Sequence, residues 1–359
     1  MQTTLAEPEA KTSKQKQEDQ NETICIGIDL GTSRSSISAS NGERHVIDSY
    51  VGWPVDMVAR KVVKKPVLIG REALENRSML DLRRPLEGGV IKDGSERDGE
   101  AVRELLNHLI SLIGIQAKGK NRAKVRAVIG VPAEALQVSR QRIRKAMDGV
   151  ADNVMLVSEP FAVAYGVEAL LHSMIIDIGA GTADFCVMQG RYPTENDQRT
   201  LPLAGDSIDE KLLQSLQERY PEAPLSIPMV RAWKEQWSFV GKPSERVKVT
   251  VPVRGKPAEF DITDEMKQAC DSIVPAAAET VIDLLSRIEP EYQERVRNNL
   301  ILAGGSSLIA GLSEQLAEAL SELGSVRITR VEDVIFAGSD GGLALARDAS
   351  DADWEKLSL

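Results

Sequence analysis

The chain has 359 residues, a formal net charge of −10 at pH 7, 42% hydrophobic and 27% charged residues. That length supports two lobes with a core each, the composition is that of an ordinary globular chain, and the acidic excess argues against a nucleic-acid groove, since phosphate backbones are gripped by surplus Lys and Arg. No apolar run reaches the ~20 residues of a membrane span, and three cysteines (Cys25, Cys186, Cys270) and three scattered histidines (His45, His108, His172) offer neither metal spacing nor a catalytic triad.

Residues 1–22 are polar, with Lys11, Lys14, Lys16, Glu18 and Asp19 among them. They carry neither the apolar core of a signal peptide nor the hydrophobic face of a membrane-surface helix, so a disordered tail without direct membrane insertion is expected. From Ile24 an apolar strand delivers Asp29 to its end, Leu30-Gly31-Thr32-Ser33 turns, and a β-rich run continues through Ile37. Val46 to Val58 mixes β-branched residues with Gly52-Trp53-Pro54, and Pro66 to Gly70 reads as a strand ending in a turn. Arg71 to Leu82 has helical spacing, with Ala73, Leu74, Met79 and Leu82 apolar.

An amphipathic helix is expected over Glu100 to Ile113 and a buried strand over Val125 to Val131. Pro132 opens a helix to Met147 whose Arg140, Arg142, Arg144 and Lys145 form a solvated basic face or a docking face. The strand Val154–Val157 delivers Glu159 just before Pro160, and a helix follows to Leu171.

Met174 to Asp184 repeats the first hairpin: an apolar strand, Asp177 at its end, the turn Gly179-Ala180-Gly181-Thr182, then a second strand from Phe185 to Met188. A metal-bound triphosphate needs backbone N–H donors with no Cβ in the way, a hydroxyl, and a carboxylate that holds metal-bound water. One such hairpin could be an ordinary tight turn. Two copies suggest two similar lobes gripping one phosphate chain from both sides. Beyond them, helices over Val230–Phe239 and Asp264–Ile288, a hairpin over Val247–Ile262 and a strand over Asn299–Leu302 complete the second lobe, and a polar tail runs from Arg347.

The two hairpins, with Val128-Ile129-Gly130-Val131-Pro132-Ala133, Ala303-Gly304-Gly305-Ser306-Ser307-Leu308-Ile309 and Gly338-Ser339-Asp340-Gly341-Gly342-Leu343-Ala344, resemble the phosphate, connecting and adenosine motifs of the actin-like ATPase superfamily. That group includes actins, sugar kinases and heat-shock-class chaperones. The likeness covers Glu22 to Arg347 in the expected order. Val157-Ser158-Glu159-Pro160-Phe161, Tyr50-Val51-Gly52-Trp53-Pro54 and Lys234-Glu235-Gln236-Trp237-Ser238-Phe239-Val240-Gly241 narrow it to bacterial cytoskeletal actins of the magnetosome-associated kind.

The resemblance implies an α/β actin-like fold of two duplicated lobes, each a mixed sheet with flanking helices, plus two smaller outer subdomains. It places 23–48 with 85–165 in the first large subdomain, 49–84 in the first small one, 166–205 with 264–346 in the second large one and 206–263 in the second small one, with tails at 1–22 and 347–359. Trp53 becomes a candidate contact between filament subunits. ATP or ADP with Mg²⁺ is the implied ligand. Asp29 and Asp177 would hold the cation through its waters, Gly31, Thr32, Ser33, Gly179, Ala180, Gly181 and Thr182 would cradle phosphates, and Glu159 would orient or activate the attacking water, with Asp177 beside it. Gly205, Asp206 and Asp209 would approach phosphates and metal, Gly304, Gly305 and Ser306 the adenosine, and Lys234 and Glu235 the ribose or base. Ala204 stands in place of the usual second glycine of its motif.

The implied function is an ATPase that polymerises head-to-tail into cytoplasmic filaments, its partners being further copies of itself and magnetosome-associated proteins. Two other superfamily roles remain open. A small-molecule kinase needs an acceptor pocket, for which the short outer subdomains leave little chain. A nucleotide-gated chaperone is expected to continue past Ala346 into a peptide-binding domain.

Overall fold

A computed structural model describes residues 23–92, 94–114, 123–133 and 136–357, without the side chains of 136–140; the tail expected over residues 1–22 lies outside the described residues. In chain order the strands are β1 (Ile24–Leu30), β2 (Arg34–Ala39), β3 (Arg44–Asp48), β4 (Val51–Pro54), β5 (Leu68–Ile69), β6 (Leu80–Arg83), β7 (Leu86–Glu87), β8 (Val90–Ile91), β9 (Val125–Val131) and β10 (Asn153–Ser158). They continue as β11 (Leu171–Ile178), β12 (Ala183–Gln189), β13 (Gln198–Leu201), β14 (Lys248–Val253), β15 (Lys256–Asp261), β16 (Leu300–Ala303) and β17 (Ile328–Arg330).

The duplication inferred from the two hairpins is present in the sheets. The first lobe has strand order β10-β9-β1-β2-β3 and the second β17-β16-β11-β12-β13. In each, a three-stranded antiparallel meander is extended by two parallel strands on the same side. Asp29 pairs with Ser36 and Gly130, and Asp177 with Asp184 and Ala303, so the two aspartates hold equivalent places.

Alternation in β1 explains how that strand is covered. Ile26, Ile28 and Leu30 point into the first-lobe core with Leu105, Leu106, Leu109 and Ile110 of the helix Glu96–Leu112. Gly27 faces the other way, against the helix Ala337–Asp348, where any Cβ would overlap Ser339 O and Leu343 N. The same helix meets the helix Glu159–Gly166 at Gly341, whose added Cβ would overlap Ala162 O. The Gly338–Gly342 pattern therefore serves backbone-to-backbone packing. It also means that this helix, placed with the second lobe on sequence grounds, packs against β1 and β9 of the first. A third core lies between the lobes, with Val128, Phe161 and Ala162 meeting Ile175, Cys186 and Met188.

Other expectations need correction. The helix expected over Arg71–Leu82 ends at Glu75, because Leu80 and Leu82 flank Asp81 in β6, which pairs with β4 and buries Leu80 beside Tyr50, Leu68 and Ala73. The helix expected to reach Leu171 stops at Gly166. The long helix over Asp264–Ile288 is two, Thr263–Asp271 and Val274–Ser286, with Pro275 in the first turn of the second, where a proline is tolerated. The polar tail contains a helix, Asp351–Leu357, anchored by Trp354, 2% exposed, under the Arg126 guanidinium. Trp53 is half-buried against the first-lobe core, with Arg97 4.8 Å over its ring.

The close crossings yield a stability test. Gly341→Ala destabilises the protein by about 3 kcal/mol or more in urea unfolding, since backbone must move to admit one methyl. Gly99→Ala, in the helix Glu96–Leu112 with open space around it, stabilises by about 0.5–1 kcal/mol.

Candidate functional site

A cleft of about 430 Å³ lies between the lobes, and the strand ends of both sheets open into it. On the first-lobe side the β1–β2 turn presents Gly31, Thr32 and Ser33, and Gly31 O accepts from Ser49 Oγ at 2.7 Å. On the second-lobe side the β11–β12 turn presents Gly179, Ala180, Gly181 and Thr182, tightened by Gly179 N donating to Thr182 O at 2.9 Å. The two turns touch: a Cβ on Gly181 would overlap Thr32 Oγ1.

Asp29, Asp177 and Glu159 share the cleft floor. Glu159 is brought there by β10 and the start of the helix Glu159–Gly166, its Cγ lying 3.5 Å from the place a Gly130 Cβ would take. Asp184, beneath them, is 1% exposed and accepts from Ala133 N at 3.0 Å across the lobes and from Thr200 Oγ1 at 2.5 Å. Burial pushes the Asp29 carboxyl up to about 6. Burial first, and then Asp29, Asp184 and Asp177, push Glu159 well above the usual carboxylate range. Asp177 moves the same way, through burial and then Asp29 and Asp184. The floor is thus a set of acids that repel one another when ionised.

That floor fits a divalent cation reached through its waters. Among the described residues no three acidic, cysteine or histidine side chains converge to chelate a bare ion. Asp29 and Asp177, at matching strand ends, remain able to accept from a hydration shell. The cradles fit too. Gly304 has φ +75°, in the left-handed region, and a Cβ there would overlap Asp177 Oδ1. Gly304, Gly305 and Ser306 line the cleft, with Ser306 Oγ donating to Gly179 O at 2.8 Å.

The helix Gly205–Arg219 begins against the second turn, where Gly205 N donates to Gly179 O at 3.1 Å and Asp206 N to Ala180 O at 2.7 Å. Gly205 and Asp206 therefore line the cleft with their amides committed to shaping that turn. Asp209 does not reach the cleft: it is fully buried, 2.7 Å from Lys234 Nζ and 2.8 Å from Arg231 Nε. Asp206 and Asp209 lie three residues apart on one face of the helix, so Arg231 reaches both, and Asp209, a turn further along, is spent on Arg231 and Lys234. Lys234 lines the cleft but donates to Gly205 O at 2.5 Å, and Glu235 sits at the mouth, 2.9 Å from Arg34.

Three participants escaped the sequence reading. Arg231 lies three residues before Lys234 on one helix face, a spacing that could have revealed it. Asp184 closes the second hairpin opposite Asp177, also legible from register. Arg84 had no local signal.

The sequence pattern described as MreB/Mbl protein matches residues 23–346. The chain belongs to the MreB/Mbl family of bacterial actin-like proteins. Within that family it is 39% identical to the actin-like protein MamK of Paramagnetospirillum magneticum, over 93% of this chain and 95% of the relative. It is equally identical to the MamK of Magnetospirillum gryphiswaldense, over 93% and 92%. Its fold superposes on a subunit of a MamK double helical filament with a TM-score of 0.88, covering 92% of this chain and all of that one. A non-polymerising MamK variant bound to AMPPNP superposes at 0.70, also at 39% identity, covering 91% of this chain and all of that one. No helix among the described residues of this MreB/Mbl family member is long and apolar enough to cross a membrane.

The crowded acids make a pH-dependent prediction. A raised carboxyl pKa means that the folded, nucleotide-free chain binds more protons than the unfolded one, so ionisation costs stability as pH rises from about 4 through 6. Asp29→Asn therefore raises the stability of the nucleotide-free protein by about 1–3 kcal/mol at pH 7.5, and the gain vanishes below about pH 4. Thermal melts across that range check it.

Proposed function

We propose that this chain binds ATP with Mg²⁺ between its lobes, hydrolyses it, and assembles head-to-tail into cytoplasmic filaments alongside magnetosomes, with hydrolysis driving filament turnover. The observation that carries the reading is the contact of two equivalent glycine–threonine turns, Gly31–Ser33 and Gly179–Thr182, above a floor of buried carboxylates. Only a ligand that brings both phosphate and cation satisfies both halves of that arrangement. The solved relatives support it, one titled as a filament and the other as bound to AMPPNP.

In this reading backbone amides of the two turns and the Thr32 and Thr182 hydroxyls hold the phosphate oxygens, and Asp29 and Asp177 accept from the waters around the cation. The cation, when bound, neutralises charge on the terminal phosphates. Glu159 aligns the attacking water and accepts its proton. Gly304 and Gly305 let adenosine lie against backbone, and Glu235 closes the mouth over it.

Head-to-tail contact that does not close on itself gives an open polymer. Val55, Met57, Val58 and Val62, all more than half exposed on the first outer subdomain, form an apolar edge that a neighbouring copy would cover.

Glu159→Ala separates binding from chemistry. Phosphate release falls by about 10²–10⁴-fold while the variant still pellets in Mg-ATP as filaments that fail to disassemble. Release at the normal rate would remove Glu159 from the chemistry, and hydrolysis without pelletable polymer would sink the filament reading.

A further inference from the structure

We propose that Arg84 is a positioning residue that latches the two lobes across the phosphate end of the cleft and sets how long nucleotide stays there, an inference that rests on nucleotide occupying the cleft. Arg84 stands where the first outer subdomain returns to the first lobe, just before Pro85. Its guanidinium donates to Thr32 O through Nε at 3.3 Å and Nη2 at 3.2 Å, and Nη2 also donates to Asp206 Oδ2 at 2.8 Å. Asp206 is held to the second turn by its amide on Ala180 O. One planar fork therefore ties the turn of the first phosphate hairpin to that of the second.

The acceptor is fixed in place. The other oxygen of Asp206 accepts from Arg231 Nη2 at 2.8 Å, and Arg231 is anchored in turn by buried Asp209. Arg231 also donates to Tyr50 OH of the first lobe at 3.0 Å. When the lobes part, Arg231 keeps both carboxylates of its own lobe. The ion pair that must break is Arg84 with Asp206. Both of those side chains are 23% exposed, so their attraction is less screened than that of an open surface pair. Arg34 with Glu235 also crosses the lobes, but at 49% and 47% exposure it adds little, which makes it the natural control.

The Arg84–Asp206 pair holds together the backbone at Thr32 and at Ala180, one segment from each of the two turns. Lysine cannot replace the arginine fully, because a single ammonium does not reproduce the fork that spans Thr32 O and the carboxylate.

The test is stopped-flow release of a fluorescent ATP analogue from the full chain with Mg²⁺, at low and high salt. Arg84→Gln releases the analogue about tenfold faster than the wild type, Arg84→Lys falls between, and Arg34→Gln stays near the wild type. The wild-type rate rises with salt, whereas that of Arg84→Gln does not. Release from Arg84→Gln at the wild-type rate, or with the wild-type salt response, would overturn the latch. X-ray scattering of the nucleotide-free protein gives an independent reading: the radius of gyration of Arg84→Gln exceeds that of the wild type, and an unchanged value would also overturn it. If the wild type binds no analogue, the ATP reading fails, and the scattering comparison still decides whether Arg84 holds the lobes.

Discussion

Ionised together, Asp29, Glu159, Asp177 and Asp184 repel across the floor of one cleft, and the rest of the structure is arranged around that constraint. The duplication creates it: equivalent strand ends from two similar sheets each deliver an aspartate to the same place. The glycines make it tolerable. Gly181, Gly304 and Gly338 leave the space that carboxylates and turns occupy, and each would lose it to a single methyl. A site that holds charge in this way favours a ligand able to neutralise it.

Around the floor, cations are placed by two carboxylates of one helix. Asp209 holds Lys234 and Arg231 from within the second lobe, and Asp206 shares itself between Arg231 and Arg84. The interlobe core, in which Val128 and Phe161 meet Ile175 and Met188, joins the two lobes.

Much of this was legible in the sequence, for a physical reason. The two hairpins are local: strand, aspartate, glycine and threonine are contiguous, so their chemistry and their repetition can be read without knowing the fold. The place of Glu159 at a strand end was legible because a strand and a proline frame it, whereas its role came from the resemblance alone. Asp209 was placed at the ligand because a motif does not show that Arg231 and Lys234, more than twenty residues on, would occupy its carboxylate. Arg84 was missed because its partners, Thr32 and Asp206, lie 52 and 122 residues away in the chain. Trp354 hid in a polar tail, where a seven-residue helix is too short for periodicity to emerge. The helix Ala337–Asp348 was assigned to the wrong lobe because chain order, unlike glycine packing, does not report which sheet it crosses.

The most direct test of the account is an electron cryomicroscopy structure of the chain assembled with Mg-AMPPNP. The account predicts a polymer whose subunits hold the triphosphate between Gly31–Ser33 and Gly179–Thr182, with a hydrated cation over Asp29 and Asp177 and a water within hydrogen-bond reach of Glu159. Nucleotide bound elsewhere, or a polymer with Glu159 turned away from the phosphates, would contradict it.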